Sequence, residues 1–268
     1  MKDGKRGIVL SGGGTKGAYE IGVWRALREL SVDFQIVTGT SIGSINGAMM
    51  AMGDYEQAEK VWRSMVMGDL MQEPQKKKFH IRTLADLFFN PEENRRKKLT
   101  DGAVDNSPFM DFVENNVDEE KVRASKVDYG LVTVRAHDRK PFELRKDEIP
   151  RGLMKDYIIA SSSVYPVFPM HRIEQDLFID GMYHDNLPVK LALRMGATEL
   201  IVVDLHQKPQ HPEYAGKSNV LYLTPTEDLG GILAFDPKKI AENMEMGYRD
   251  TICKFSIGRN QRGRTENR

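Results

Sequence analysis

Short apolar runs alternate along the chain with longer stretches in which apolar residues recur every three or four positions. Residues 7–10, 34–38, 129–135, 142–145, 177–180, 199–205 and 220–223 have the run lengths of strands. The strongest is 199–205, reading ELIVVDL. Between them, 16–30 carries a helical repeat through Tyr19, Val23, Trp24, Leu27 and Leu30. Residues 42–52 form a second predicted helix of small residues, and 55–67 and 152–160 two more. Pro188 opens a helix over 188–195, and Asp236-Pro237 starts a last one running to about residue 255. Strand and helix in alternation predict an α/β fold: a mostly parallel central sheet with helices on both faces.

Two stretches leave this rhythm. Residues 71–106 are charged and irregular, with Lys76-Lys77-Lys78 and Arg95-Arg96-Lys97-Lys98, and read as an inserted cap or loop. Residues 256–268 are polar and glycine-containing and read as a disordered tail. A single domain over 1–255 is the expectation, since 268 residues are ample for one large core.

Composition narrows the setting. The formal net charge is zero, which argues against a general nucleic-acid binder. No segment approaches the roughly 20 apolar residues that span a bilayer. The first residues run directly into a strand without the apolar stretch of a signal peptide, and the one cysteine excludes an internal disulfide. A cytoplasmic setting is the expectation. No metal-ligand spacing is present, so neither metal nor other cofactor is expected.

The chemistry concentrates at turns. Gly12-Gly13-Gly14-Thr15-Lys16-Gly17 follows the first strand and opens the first helix, a place where free backbone N–H groups attract an anion. The spacing matches G-x-G-x-x-G, which admits a pyrophosphate and hence a nucleotide-binding oxidoreductase. That reading wants an acid at the end of the second strand, and the chain has Thr38-Gly39-Thr40-Ser41 there. The other anion that fits is the oxyanion of acyl transfer. Gly39-Thr40-Ser41-Ile42-Gly43 sits between a strand and a small-residue helix, the context of a nucleophile elbow. Ser41 needs a base. His206, at the end of 199–205, would give with Asp180 the order Ser–Asp–His. His184 lies four residues after Asp180. Asp180 itself, followed by Gly181, is a carboxylate base or a simple turn residue. Composition and spacing leave these open.

Taken together, the glycine loop, the Ser41 pentad, the block Ala160-Ser161-Ser162-Ser163-Val164-Tyr165-Pro166-Val167-Phe168-Pro169, and Asp180-Gly181-Met182 with Asn186-Leu187-Pro188 resemble the patatin-like phospholipase family. The resemblance implies a three-layer α/β/α sandwich and hydrolysis of lipid acyl esters by a Ser–Asp dyad. By position, Ser41 is the implied nucleophile and Asp180 the base. Gly12, Gly13 and Gly14 form the oxyanion loop, and Lys16, Gly17, Gly39, Gly43 and Gly181 are supporting motif residues. Met182 stands where the family has glycine or alanine. A literal Asp101-Gly102-Ala103 lies in the charged insert without a preceding strand and is rejected as the base. The expected partner is a lipid or acyl ester. Leu84, Leu87, Phe88 and Phe89 in a helix over 83–89, beside the basic clusters, suggest peripheral membrane contact through 71–106, against the alternative that they pack on the sheet. A non-catalytic lipid-binding protein on the same fold is the remaining competitor.

Overall fold

The computed structural model describes residues 4–65 and 106–265. The basic clusters, the 83–89 helix and Asp101-Gly102-Ala103 of the insert lie outside the described residues.

Among the described residues eight strands form one sheet, β1 (Lys5–Leu10), β2 (Ile36–Thr40), β3 (Asp128–Arg135), β4 (Pro141–Arg145), β5 (His171–Ile173), β6 (Asp176–Asp180), β7 (Ala197–Val203) and β8 (Val220–Leu223). Their order is β5-β6-β3-β2-β1-β7-β8, with β4 also on β3. β3, β2, β1, β7 and β8 are mutually parallel, while β4, β5 and β6 run antiparallel at one end. Parallel strands covered on both faces lose the polar alternation of a one-sided sheet, and for that reason β1 and β7 end in the apolar runs Ile8-Val9-Leu10 and Leu200-Ile201-Val202-Val203.

Alternation along each strand feeds two cores. Ile8 and Leu10 of β1, Val37 of β2 and Ile201 and Val203 of β7 face one side. There they meet helices α1 (Ala18–Glu29), α2 (Ile42–Met52), α3 (Tyr55–Ser64), α4 (Ser107–Asn116), α5 (Glu119–Ala124), α6 (Met154–Ser161) and the long C-terminal helix (Pro237–Thr265). Val9, Ile36, Leu200 and Val202 face the other side, against α7 (Val189–Arg194). The result is the three-layer arrangement. The C-terminal helix, α8, continues to Thr265, beyond the residue-255 end that the polar composition suggests. Arg259, Gln261, Arg262 and Arg264 in that extension are mostly straight-chain residues with good helix propensity.

The register places the chemistry. Leu10 of β1 lies opposite both Gly39 of β2 and Val203 of β7, so Gly12, Ser41 and Asp204 all emerge at the carboxyl end of the parallel strands. β3 pairs with β2 up to Thr40 opposite Val132. β4 occupies the other edge of β3 over Gly130 to Val134. β6 therefore takes over the edge that β2 vacates, with Asp180 opposite Thr133. The end of β6 is thereby set directly beyond the end of β2.

Candidate active site

Ser41 occupies a sharp turn between β2 and α2, with φ 55 and ψ −127. Such positive φ costs a non-glycine residue on the order of 1–3 kcal/mol and marks a position the surroundings must hold. They do so through hydrogen bonds. The Ser41 N–H donates to Ser161 Oγ at 3.0 Å, and the Ser161 hydroxyl donates to the Val132 carbonyl at 2.7 Å. Ser44 closes the turn, its N–H and hydroxyl both donating to the Ser41 carbonyl. Close packing explains the glycine before the serine: a Cβ on Gly39 would lie 2.1 Å from the Gly43 carbonyl oxygen.

Asp180 ends β6 with its side chain fully buried. The Met182 N–H donates to its Oδ1 at 2.8 Å, whereas Oδ2 has no hydrogen-bond partner among the described residues. Burial pushes the carboxyl up to about 7; the Met182 N–H and the neighbouring Ser41 hydroxyl restrain the rise. Ser41 thus lies beside the carboxylate without a well-formed hydrogen bond to Oδ2, as is common before substrate binds. The backbone N–H of Asp180 donates to the Ser163 carbonyl at 2.9 Å. The 160–169 block accordingly holds both residues, Ser41 through Ser161 and Asp180 through Ser163. The sequence motif contains these serines but does not disclose that role. Met182 serves the carboxylate through its backbone, which any residue supplies, and its side chain lies in the cavity wall.

The glycine loop faces Ser41. Gly12, Gly13, Gly14 and Lys16 line the same cavity as Ser41, and Gly17 packs on Ile42 just beneath. Gly14 has φ 59, and a Cβ there would fall 2.1 Å from the Ile232 carbonyl oxygen. The Gly12 N–H is engaged, donating to the Asn186 carbonyl at 3.0 Å. Among the described residues the N–H groups of Gly13 and Gly14 have no acceptor, which leaves them as the free donors of the loop. Gly181 rests against the Val132 carbonyl where β6 passes β3.

The cavity measures about 570 Å³. Besides Ser41 it is lined by Ile45 of α2, by the buried Trp62, Met65 and Phe109, and by Phe168, Ile232, Leu233 and Phe235, which give it a largely apolar wall. Apart from Phe168, which falls in the 160–169 block, no motif marks these residues, because they come from five separate stretches of chain. The Trp62 indole N–H donates to Asn46 Oδ1 at 2.9 Å, and the Asn46 amide donates to the buried Glu20 carboxyl at 2.7 Å. Burial holds Glu20 well above the usual carboxylate range.

His206 also lines the cavity, but its Nδ1 hydrogen-bonds with Asp204 at 3.1 Å rather than with Asp180. His184 pairs with Glu143 at 3.1 Å. Among the described residues no group of three or more His, Cys, Asp or Glu side chains is placed to hold a metal ion. No described helix is long and apolar enough to cross a membrane.

A serine at a strand-to-helix elbow, a buried carboxylate and a glycine loop thus stand together at one cavity of an α/β sandwich. The patatin-like phospholipase family matches residues 8–193, and the chain belongs to that family of ester-hydrolysing enzymes. It is similar to the lysophospholipase NTE1 of Mycosarcoma maydis, at 29% identity over 74% of this chain and 10% of that protein. It is equally similar, at 29% over 74%, to human patatin-like phospholipase domain-containing protein 6, of which it spans 13%. Among solved structures, VipD from Legionella pneumophila shares the fold at 14% identity with a TM-score of 0.57, covering 96% of this chain and 67% of that one. The type III effector ExoU does so at 14% identity and a TM-score of 0.50, covering 95% of this chain and 53% of that one.

Proposed function

We propose that the chain is a serine lipid acyl hydrolase acting through a Ser41–Asp180 dyad. Asp180 Oδ2 accepts the Ser41 proton as the hydroxyl oxygen attacks the ester carbonyl. The Gly13 and Gly14 N–H groups receive the developing oxyanion, a contribution of about 3 kcal/mol for one such donor in comparable sites. The tetrahedral intermediate collapses to an acyl-enzyme with departure of the alcohol, which takes the proton back from Asp180. Water, deprotonated by Asp180, then releases the fatty acid and regenerates Ser41.

The observation that carries this reading is the buried, unpaired Oδ2 of Asp180 beside Ser41 at the head of an apolar cavity. A cavity walled by Ile45, Trp62, Phe109 and Phe168 favours an acyl chain over a polar substrate. The lysophospholipase name of one relative points to phospholipids and lysophospholipids as the first substrates to try. The basic runs at 76–78 and 95–98 favour a substrate presented at an anionic lipid surface. One specific observation favours a second base: His206, held by Asp204, borders the same cavity. A fluorophosphonate probe followed by peptide mapping is expected to label Ser41, with hydrolysis of a lipid panel lost in Ser41→Ala and Asp180→Asn and kept in His206→Ala. Turnover in clean Ser41→Ala protein would reject the nucleophile. Loss in His206→Ala equal to that in Ser41→Ala would favour the triad.

A further inference from the structure

Beyond β7 the chain runs through Asp204 to Gln210, outside the 8–193 span of the family match. Asp204 is fully buried. It accepts hydrogen bonds from the Gln210 N–H at 2.7 Å, the Gln210 side-chain amide at 2.8 Å and the Tyr222 hydroxyl at 2.8 Å, as well as from the His206 N–H at 3.0 Å. Gln210 is thus clamped at both its backbone and its side chain.

The clamped amide reaches the glycine loop. Gln210 Nε2 also donates to Ser11 Oγ at 3.2 Å, and Gln210 Oε1 accepts from Asn186 Nδ2 at 3.2 Å. Both of those partners act on one atom. The Ser11 hydroxyl donates to the Gly12 carbonyl oxygen at 3.0 Å, and Asn186 Nδ2 donates to the same oxygen at 3.3 Å. Because Gln210 donates to Ser11 Oγ, it occupies a lone pair there and leaves the hydroxyl proton for Gly12.

The Gly12 carbonyl and the Gly13 N–H belong to one planar trans peptide and point in opposite directions. Fixing the carbonyl oxygen on the Ser11–Asn186 side therefore turns the Gly13 N–H the other way. A glycine-rich loop has little intrinsic preference to hold such a plane. The geometry points to Gln210, anchored by Asp204, as the positioning residue that orients the Gly13 N–H for the oxyanion. The inference rests on the acyl-transfer reading of this site.

The test is Gln210→Leu, which removes both polar ends at similar size. Its kcat on a soluble acyl ester is expected to fall roughly 10- to 100-fold with KM within about twofold, less than deletion of an oxyanion donor outright. The second readout is the 31P resonance of Ser41 phosphonylated by a fluorophosphonate, whose phosphoryl oxygen stands in for the oxyanion. That resonance is expected to shift in Gln210→Leu relative to the wild-type adduct. Ser11→Ala removes the hydroxyl from the same carbonyl and leaves the Asp204 cluster in place. It should move the resonance in the same direction, and it carries the test alone if Gln210→Leu does not fold. Unchanged kcat and an unmoved resonance, with only a lower melting temperature, would overturn the inference while a dead Ser41→Ala left the acyl-transfer reading standing. Turnover in Ser41→Ala would overturn both.

Discussion

Asp180 combines two properties that rarely coincide in a carboxylate: complete burial and an oxygen with no hydrogen bond among the described residues. Both weaken it as an acid and strengthen it as a base. An ordinary aspartate near 3.9 is too weak a base to take a serine proton efficiently, whereas a group near 7 matches the working pH. The free enzyme's kcat/KM is therefore expected to rise with pH and level off above about 7, as Asp180 loses its proton. Asp180→Asn should lose several orders of magnitude at every pH, and His206→Ala should retain the limb. A pH–rate profile of the three proteins checks this, and a limb that vanishes in His206→Ala would assign it to the imidazole. Ser41 was legible as a candidate through its G-x-S-x-G turn, where crowding demands glycine, whereas Asp180 emerged only through the resemblance of its Asp-Gly block to the family motif. Asn186 was visible as part of a motif but without a task, and Gln210 was not visible at all. Their roles consist of hydrogen bonds to residues 174 and 199 positions away in the chain, and no local pattern records such a contact.

At the level of elements, α2 does two jobs. Its start sets Ser41, and its next turn presents Ile45 to the cavity. Chain-length preference should therefore respond to Ile45. We expect Ile45→Phe to reduce hydrolysis of long-chain esters at least tenfold while short-chain esters retain most of their rate. Rates measured on p-nitrophenyl esters of graded length check it, and an equal loss at all lengths would mean that the larger ring disturbs the elbow itself. Overpacking costs about 1–3 kcal/mol in a filled core, and an adjacent cavity reduces that cost. The long periodic elements were the readable ones. Strands β1, β2 and β7 are buried on both faces, and α1 repeats its apolar positions over three turns. By contrast, α5 has six residues and β5 only three, too few for a period to stand out. Helix α4 begins beside the charged insert, and only Pro108 in its first turn hints at it.

For the molecule as a whole, the proposed base is a stability liability. Between roughly pH 4 and pH 7 the folded chain holds a proton on Asp180 that the unfolded chain has released. The contribution of this group to stability therefore falls as pH rises across that window, by about 4 kcal/mol at most. The buried Glu20 acts in the same direction. Asp180→Asn removes one of these burdens. Its melting temperature relative to wild type is expected to climb from pH 4 to pH 8, and parallel curves in differential scanning calorimetry would contradict this.

The seam on β3 has a mechanical consequence. The proposed nucleophile and base stand on different kinds of ground, Ser41 on the parallel interior and Asp180 on an antiparallel flap joined to β3 by three residue pairs. Phe178 packs this unit into the core, so its opening is set by few backbone pairs against one buried aromatic anchor, and units with so few backbone pairs open at lower free energy than the body of a protein. Mild urea should separate the two groups while the parallel strands stay folded, so ester hydrolysis should cease at a lower denaturant concentration than the loss of far-ultraviolet ellipticity. Amide exchange should be correspondingly faster in residues 176–180 than in residues 36–40. A single shared midpoint would mean that flap and interior open as one.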